Sequence, residues 1–211
     1  MSPLLLSLLF ASGGTLLAAA VALPLAAWAS NRPFPQRAVA EALFTLPLVV
    51  PPTAVGYLLL RLLGHEGPVA QLLGLHLLFT PGAALIAAAI AGFPLLFRAS
   101  LAAFEATPAT ILRAAATAGL PPAAVWLRVR IPLAATGLAA GAALALARGI
   151  GEFGITTMIA GALPGRTETA SVAIYAANAA GRNADADRLV ASVLFVSLLL
   201  LALVARFRRE R

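Results

Sequence analysis

The sequence has 211 residues, of which 61% are hydrophobic and 11% are charged, and its mean hydropathy is +0.95. Soluble domains usually carry about 25% charged residues, and a water-soluble fold cannot hide this much apolar surface. All 15 basic residues are arginine, and there is no cysteine. The absence of lysine excludes a P-loop ATPase, and the absence of cysteine excludes disulfides and thiolate metal sites. We therefore expect a single membrane domain over residues 1–211, without a soluble domain.

Five apolar runs are long enough to cross a bilayer, which takes about 20 helical residues. We expect an all-α polytopic bundle with five spans, and a sixth stays possible. The predicted spans cover residues 4–29, 38–63, 81–98, 131–161 and 189–205.

The arginines are distributed unequally between the two sides of this topology. Arginine favours the cytoplasmic side of membrane proteins, so the unequal count predicts an outer N-terminus and a cytoplasmic C-terminus. Because the arginines flank spans and form no separate basic face, we do not expect nucleic-acid binding. The inner set is Arg32, Arg37, Arg98, Arg113, Arg128, Arg130, Arg206, Arg208, Arg209 and Arg211, and the outer set is Arg61, Arg166, Arg182 and Arg188, with Arg148 inside a span.

The second span contains Pro47, Pro51 and Pro52 within LPLVVPPTAVGYLLL. Prolines at this density break or kink a helix. Broken backbone is tolerated in a membrane only where protein buries it or where it lines a cavity. Pro51 and Pro52 are therefore candidates for the wall of a translocation route, and a buried kink with a purely structural role is the alternative.

The fourth span carries small residues every four positions, at Gly137, Gly141 and Ala145. Such a ridge lets membrane helices approach closely. We expect it to form a contact between subunits, with packing inside one protomer as the alternative.

The same span continues into ARGIGEFG, in which Arg148 and Glu152 are four residues apart and so share one helical face. Charges inside a membrane are costly, and they normally pair or face water. Arg148, Glu152, Phe153 and Gly154 are therefore further candidates for the translocation route. The alternative is an ion pair that only locks helix packing.

The 104–130 segment is the long polar stretch between the third and fourth spans. Its pattern predicts a helix over residues 111–118, a left-handed turn at Gly119, and a second helix over 123–129 that starts after two prolines. The segment resembles the coupling loop of ABC-transporter permeases, which reads E-A-A-x(3)-G-x(9)-I-x-L-P. The positions that match are Ala114, Ala115, Gly119, Val129, Ile131 and Pro132, whereas Arg113 stands where the family usually has glutamate.

The outer segment, residues 162–188, is too polar to span and predicts either a short surface helix over 167–180 or a plain loop. Together with LPLVVPPTAVGYLLL and ARGIGEFGITTMIAG, its LPGRTETASVAIY resembles the permease subunit of molybdate or tungstate ABC transporters. By this resemblance, the residues expected to face a binding protein are Pro164, Gly165, Arg166, Thr167, Thr169 and Tyr175.

The resemblance implies a type I fold, a homodimer in the bacterial inner membrane with its pore on the two-fold axis, two ATPase subunits at the cytoplasmic face and an external oxyanion-binding protein. ATP and Mg²⁺ would bind to the ATPase, so we expect no cofactor, metal or catalytic residue in this chain. GEFG is also similar to sulfate and thiosulfate permeases, which are the nearest alternative. An intramembrane enzyme and a non-transporting scaffold are alternatives of another class.

Overall fold

The computed structural model describes the backbone of residues 1–209 and the side chains of residues 1–199 and 202. This part of the chain is helical and contains no strand. The helices are α1 (Pro3–Ala29), α2 (Phe34–Val49), α3 (Pro52–Leu63), α4 (Pro68–Leu73), α5 (Pro81–Glu105), α6 (Ala109–Thr117), α7 (Pro122–Val125), α8 (Ile131–Ile150), α9 (Gly154–Ile159), α10 (Ala170–Ala179) and α11 (Asn183–Arg209).

Helices α1, α5 and α8 form the centre of the bundle, and small residues allow their close approach. A Cβ atom placed at Gly14 of α1 would lie 2.7 Å from the Ala88 Cβ of α5, and one at Gly92 of α5 would lie 2.9 Å from the Ala145 carbonyl oxygen of α8. Contacts this close require glycine on one side, because a Cβ atom would come within 3.0 Å of the neighbouring helix. The close approach increases the van der Waals contact that holds membrane helices together. The core is therefore built largely from alanine and glycine.

The small-residue ridge of α8 faces α5 within the same chain. A Cβ at Gly137 would lie 2.5 Å from the Ala103 Cβ, and one at Gly141 would lie 2.8 Å from the Ala99 Cβ. Ala145 is fully buried. Our expectation that this ridge forms a contact between subunits was wrong, because its small residues are used for packing inside the protomer.

The second predicted span is broken where its prolines predicted a break. Helix α2 ends at Val49, α3 begins at Pro52, and the axes on the two sides of the break differ in direction by 101°. Pro51, between them, has an extended-type conformation and cannot donate a backbone hydrogen bond.

The fourth predicted span is also interrupted. Helix α8 ends at Ile150, and three residues separate it from the short helix α9. Two helices extend beyond the predicted spans. Helix α5 continues past residue 98 to Glu105, and α11 begins at Asn183, inside the predicted outer segment 162–188.

Three stretches of the described residues are helical, long and apolar enough to cross a membrane, or four if the bent pair counts as one span. The three are Pro3–Ala29, Pro81–Glu105 and Pro122–Ile150. Helix α11 contains the predicted fifth span, residues 189–205. This span stays a prediction, because several of its side chains lie outside the described residues. The side chains of Arg206, Arg208 and Arg209 and the whole of Arg211 also lie outside them.

Candidate translocation site and coupling segment

An ion pair lies at the interruption between α8 and α9. Arg148 Nη2 is 2.8 Å from Glu152 Oε2, in an ion-pair contact without good hydrogen-bond geometry. The Glu152 side chain is only 2% exposed, whereas that of Arg148 is 32% exposed. The other carboxylate oxygen, Glu152 Oε1, accepts a hydrogen bond of 2.7 Å from the Ile155 backbone N–H. Glu152 therefore pairs with a cation and also satisfies a free donor at the start of α9.

The two helix interruptions lie against each other. A Cβ placed at Gly154 would be 2.8 Å from the Pro52 Cβ, and one at Gly56 would be 2.8 Å from the Met158 Cβ. Glycine at both positions lets the first turns of α3 pack along α9, from Gly154 to Met158. The structure thus brings Pro52 together with Gly154, two route candidates that are about a hundred residues apart in the sequence.

Phe153 and Tyr175 connect this junction to α10. Their ring centroids are 5.2 Å apart, and both residues line an open cleft of about 560 Å³ between α10 and α11. Ser171 on the cleft wall donates a hydrogen bond of 3.3 Å to the Ile150 carbonyl oxygen at the end of α8. The cleft also contains the polar groups of Asn178 and Asp187.

Two of the six residues expected to face a binding protein are not surface residues. Thr167 is 0% exposed, and its hydroxyl donates to the Ala160 carbonyl oxygen at 2.8 Å and accepts from the Leu163 N–H at 3.2 Å. Thr169 is also buried. Thr167 closes the turn before α10, whereas the buried Thr169 hydroxyl has no hydrogen-bond partner among the described residues. The threonine at position 167 of the PGRTET pattern therefore has a folding role. The exposed candidates are Pro164, Gly165, Arg166 and Tyr175.

The 104–130 segment has the predicted order of helix, glycine turn and helix. Helix α6 carries Ala114 and Ala115, and Gly119 has φ of +79°, which confirms the left-handed turn. The second helix departs from expectation, because α7 is only one turn and continues as a π-helical turn, Trp126–Arg130, directly into α8. Val129 lies in this π turn, and Ile131 and Pro132 begin α8.

Arg130 was expected only to mark the cytoplasmic side of the membrane, yet its guanidinium makes three hydrogen bonds. It is 6% exposed and donates to the Asn31 Oδ1, the Ser30 Oγ and the Phe104 carbonyl oxygen at 2.8, 2.9 and 3.3 Å. Its guanidinium carbon is also 4.3 Å from the ring centroid of Trp126. The spacing of Trp126 and Arg130 could have indicated their contact, because side chains four residues apart are neighbours on a helix.

Comparison with known proteins identifies the family. The model of the binding-protein-dependent transport system inner membrane component family matches residues 14–209. The chain belongs to this family. It is therefore a multi-pass membrane protein with the all-α fold of type I ABC permeases, as the coupling-loop resemblance implied.

Individual relatives match over most of the permease. It is 36% identical to the molybdenum transport system permease protein ModB of Escherichia coli K12 over 186 residues, which are 84% of this chain and 81% of that protein. It is 34% identical to ModB of Azotobacter vinelandii over 208 residues, 97% of this chain and 92% of that protein. ModB of Mycobacterium tuberculosis H37Rv is 35% identical over 206 residues, 96% of this chain and 75% of that protein.

Proposed function

We propose that this protein is the membrane-spanning subunit of an ABC importer that carries molybdate, or its close analogue tungstate, into the cell. The observation that carries the proposal is the similarity to molybdenum permeases over 84% to 97% of the chain. A sulfate or thiosulfate permease is the competing assignment within the same family. Transport would be driven by ATP hydrolysis in a separate subunit, because the chain has no lysine and so no P-loop lysine.

The working unit in this proposal is a homodimer of permeases with two ATPase subunits and an external binding protein. Helix α6 and the Gly119 turn are exposed, which supports their docking to an ATPase subunit at the cytoplasmic face. The exposed residues Arg166 and Tyr175 are candidates for the opposite face, where the binding protein would release its anion. The N-terminus would then be outside and the C-terminus cytoplasmic, in the bacterial inner membrane.

The junction of α3, α8 and α9 is the proposed wall of the translocation route. An oxyanion passing it would meet the partly exposed Arg148 guanidinium, while the buried Glu152 carboxylate neutralises most of that charge. An ion pair without net charge attracts an anion only weakly. Weak binding suits a translocation route, because the anion must be released to the inside. The glycines at 151 and 154 would let this wall move when the ATPase subunits close.

ATP hydrolysis by the assembled complex tests the assignment of roles. The permease alone should hydrolyse no ATP, and the complex reconstituted in nanodiscs should hydrolyse ATP faster when molybdate-loaded binding protein is added. Binding protein without molybdate is the matched control. Hydrolysis by the purified permease, or equal rates with and without molybdate, would contradict the proposal.

A further inference from the structure

The side chain of Arg130 joins three separate elements at one end of the bundle. Its acceptors Ser30 and Asn31 follow the last turn of α1, and the Phe104 carbonyl belongs to the last turn of α5. Arg130 itself is the final residue of the π turn that leads into α8. Along the chain, Arg130 is 99 residues from Asn31 and 26 residues from Phe104. One guanidinium therefore holds the π turn to the ends of two central helices.

Aromatic rings fix the position of this guanidinium. Its carbon is 4.3 Å from the Trp126 ring centroid and 5.6 Å from that of Phe104, and the two rings contact each other edge to face at 5.3 Å. A cation over an aromatic face is held more strongly when it is removed from water. Because Trp126 is the first residue of the π turn and Arg130 the last, the stack also spans the whole turn.

The arrangement is not the one that stability alone favours. Burying an arginine costs solvation energy that its contacts must offset, and apolar residues at such positions are often as stable or more so. Within the described residues, the buried Nε of Arg130 has no hydrogen-bond partner. π-helical turns are themselves uncommon and occur frequently at functional sites. A buried cation at the end of a π turn therefore points to a mechanical role.

A second set of contacts lies beside this one. Arg37, near the start of α2, makes a contact of 2.6 Å between its Nη1 and the Glu105 Oε1 at the end of α5. Helix α2 is thereby tied to the same end of α5 that Arg130 contacts. A displacement of the π turn would thus reach α1 and α5 directly, and α2 through α5.

We propose that Arg130 is the positioning residue that transmits movement of the π turn, Trp126–Arg130, to the ends of α1 and α5. This inference rests on the proposed function, because it assigns the segment to the ATPase interface. In the complex, α6 and the Gly119 turn follow the ATPase subunit, and the guanidinium makes the ends of α1 and α5 follow the π turn. Without it, the π turn moves and those helix ends do not.

The test is the amount of molybdate taken up per ATP hydrolysed by the complete complex in vesicles. Arg130→Gln removes the charge and the fork geometry, and Arg130→Lys keeps the charge alone. Arg32→Gln is the matched control, because it removes an exposed arginine from the same end of the bundle that, among the described residues, makes no ion pair or side-chain hydrogen bond and lies over the Trp28 ring. We expect uptake per ATP to fall about tenfold or more in Arg130→Gln, since one charged hydrogen bond is typically worth a factor of this size. Arg130→Lys should be intermediate and Arg32→Gln unchanged.

A purely structural role predicts a different result. It would lower the yield or thermal stability of the complex and leave uptake per ATP unchanged in what assembles, and that outcome would overturn the inference. If Arg130→Gln does not assemble, Ser30→Ala/Asn31→Ala removes both acceptors on α1 and leaves Arg130 in place. That variant breaks only the link to α1 and should also lower uptake per ATP, and a normal ratio would overturn the inference. Failure of the unsubstituted complex to take up molybdate would instead count against the proposed function.

Discussion

Glu152 interacts with two partners, and different substitutions of Glu152 remove one or both of these interactions. One carboxylate oxygen faces Arg148 and the other accepts the Ile155 N–H. Replacing Glu152 with alanine would remove both interactions, whereas glutamine keeps an oxygen for the N–H and removes only the charge. Glutamine is therefore the substitution that isolates the ion pair.

The Arg148–Glu152 pair should show strong coupling in a double-mutant cycle. Arg148→Ala leaves a buried carboxylate without its cation, and breaking a buried ion pair in this way costs about 3–5 kcal/mol, so uptake and stability should both fall. Adding Glu152→Gln to that variant removes the uncompensated charge and should restore part of the loss. The measurement is molybdate uptake by the two single variants and the double variant, and additive losses would reject the coupling.

Gly119 is constrained by its backbone conformation and not by its surroundings. Its φ is +79°, and apart from Gly119 itself and its two chain neighbours no atom of the described residues lies within 4 Å of a Cβ placed there. Gly119→Val should therefore strain the turn by about 1–2 kcal/mol without a clash, re-aim α7 and reduce uptake per ATP.

Two matched variants separate strain from bulk at this turn. Gly119→Asn should retain function because asparagine tolerates the left-handed region, and Ala118→Val adds the same bulk at the neighbouring exposed position. Equal uptake per ATP by Gly119→Val and the unsubstituted complex would show that this turn does not set coupling.

At the scale of elements, the contact between α5 and α8 depends on small residues from both helices. Gly141 faces Ala99 and Leu96, and Gly92 faces Ala145. The ridge therefore matters for folding of the protomer before it matters for any assembly. Sequence periodicity indicated a close contact but not its partner, because small residues permit a neighbour from the same chain or from another.

Gly141→Leu should destabilise the protomer itself. Overpacking of this kind costs about 1–3 kcal/mol, and the α5–α8 contact has no flexible side chain that can yield at the Ala99 Cβ. Thermal unfolding of the purified permease in detergent measures the effect. Ala139→Leu is the control on the exposed side of the same helix, and similar midpoints for the two variants would place the ridge outside the core.

The local sequence was enough to predict where the helices are interrupted, but it did not predict that the two interruptions contact each other. Pro51 and Pro52 predicted the break before α3, and the glycines at 149, 151 and 154 disfavour a continuous helix near Glu152. That Pro52 packs against Gly154 depends on how α3 and α9 meet, which no local pattern contains. Arg130 was missed for the same reason, since its acceptors at Ser30, Asn31 and Phe104 are distant in sequence.

At the scale of the whole molecule, membership of the permease family and the all-helical fold agree with what composition and the coupling-loop pattern predicted. The expected homodimer, ATPase and binding protein stay predictions. Two expectations about interface residues were wrong, because Thr167 and Thr169 are buried and the ridge on α8 packs inward. In both cases residues assigned to an interface serve the folding of one protomer.

The most direct test of the proposed function is competitive oxyanion uptake by vesicles that contain the complete complex. Labelled molybdate should enter only with ATP and loaded binding protein present, tungstate should compete at equal concentration, and sulfate should compete weakly even in large excess. Uptake of labelled sulfate that molybdate does not reduce would assign the protein to sulfate transport, and an absence of ATP-driven uptake of any oxyanion would contradict the account as a whole.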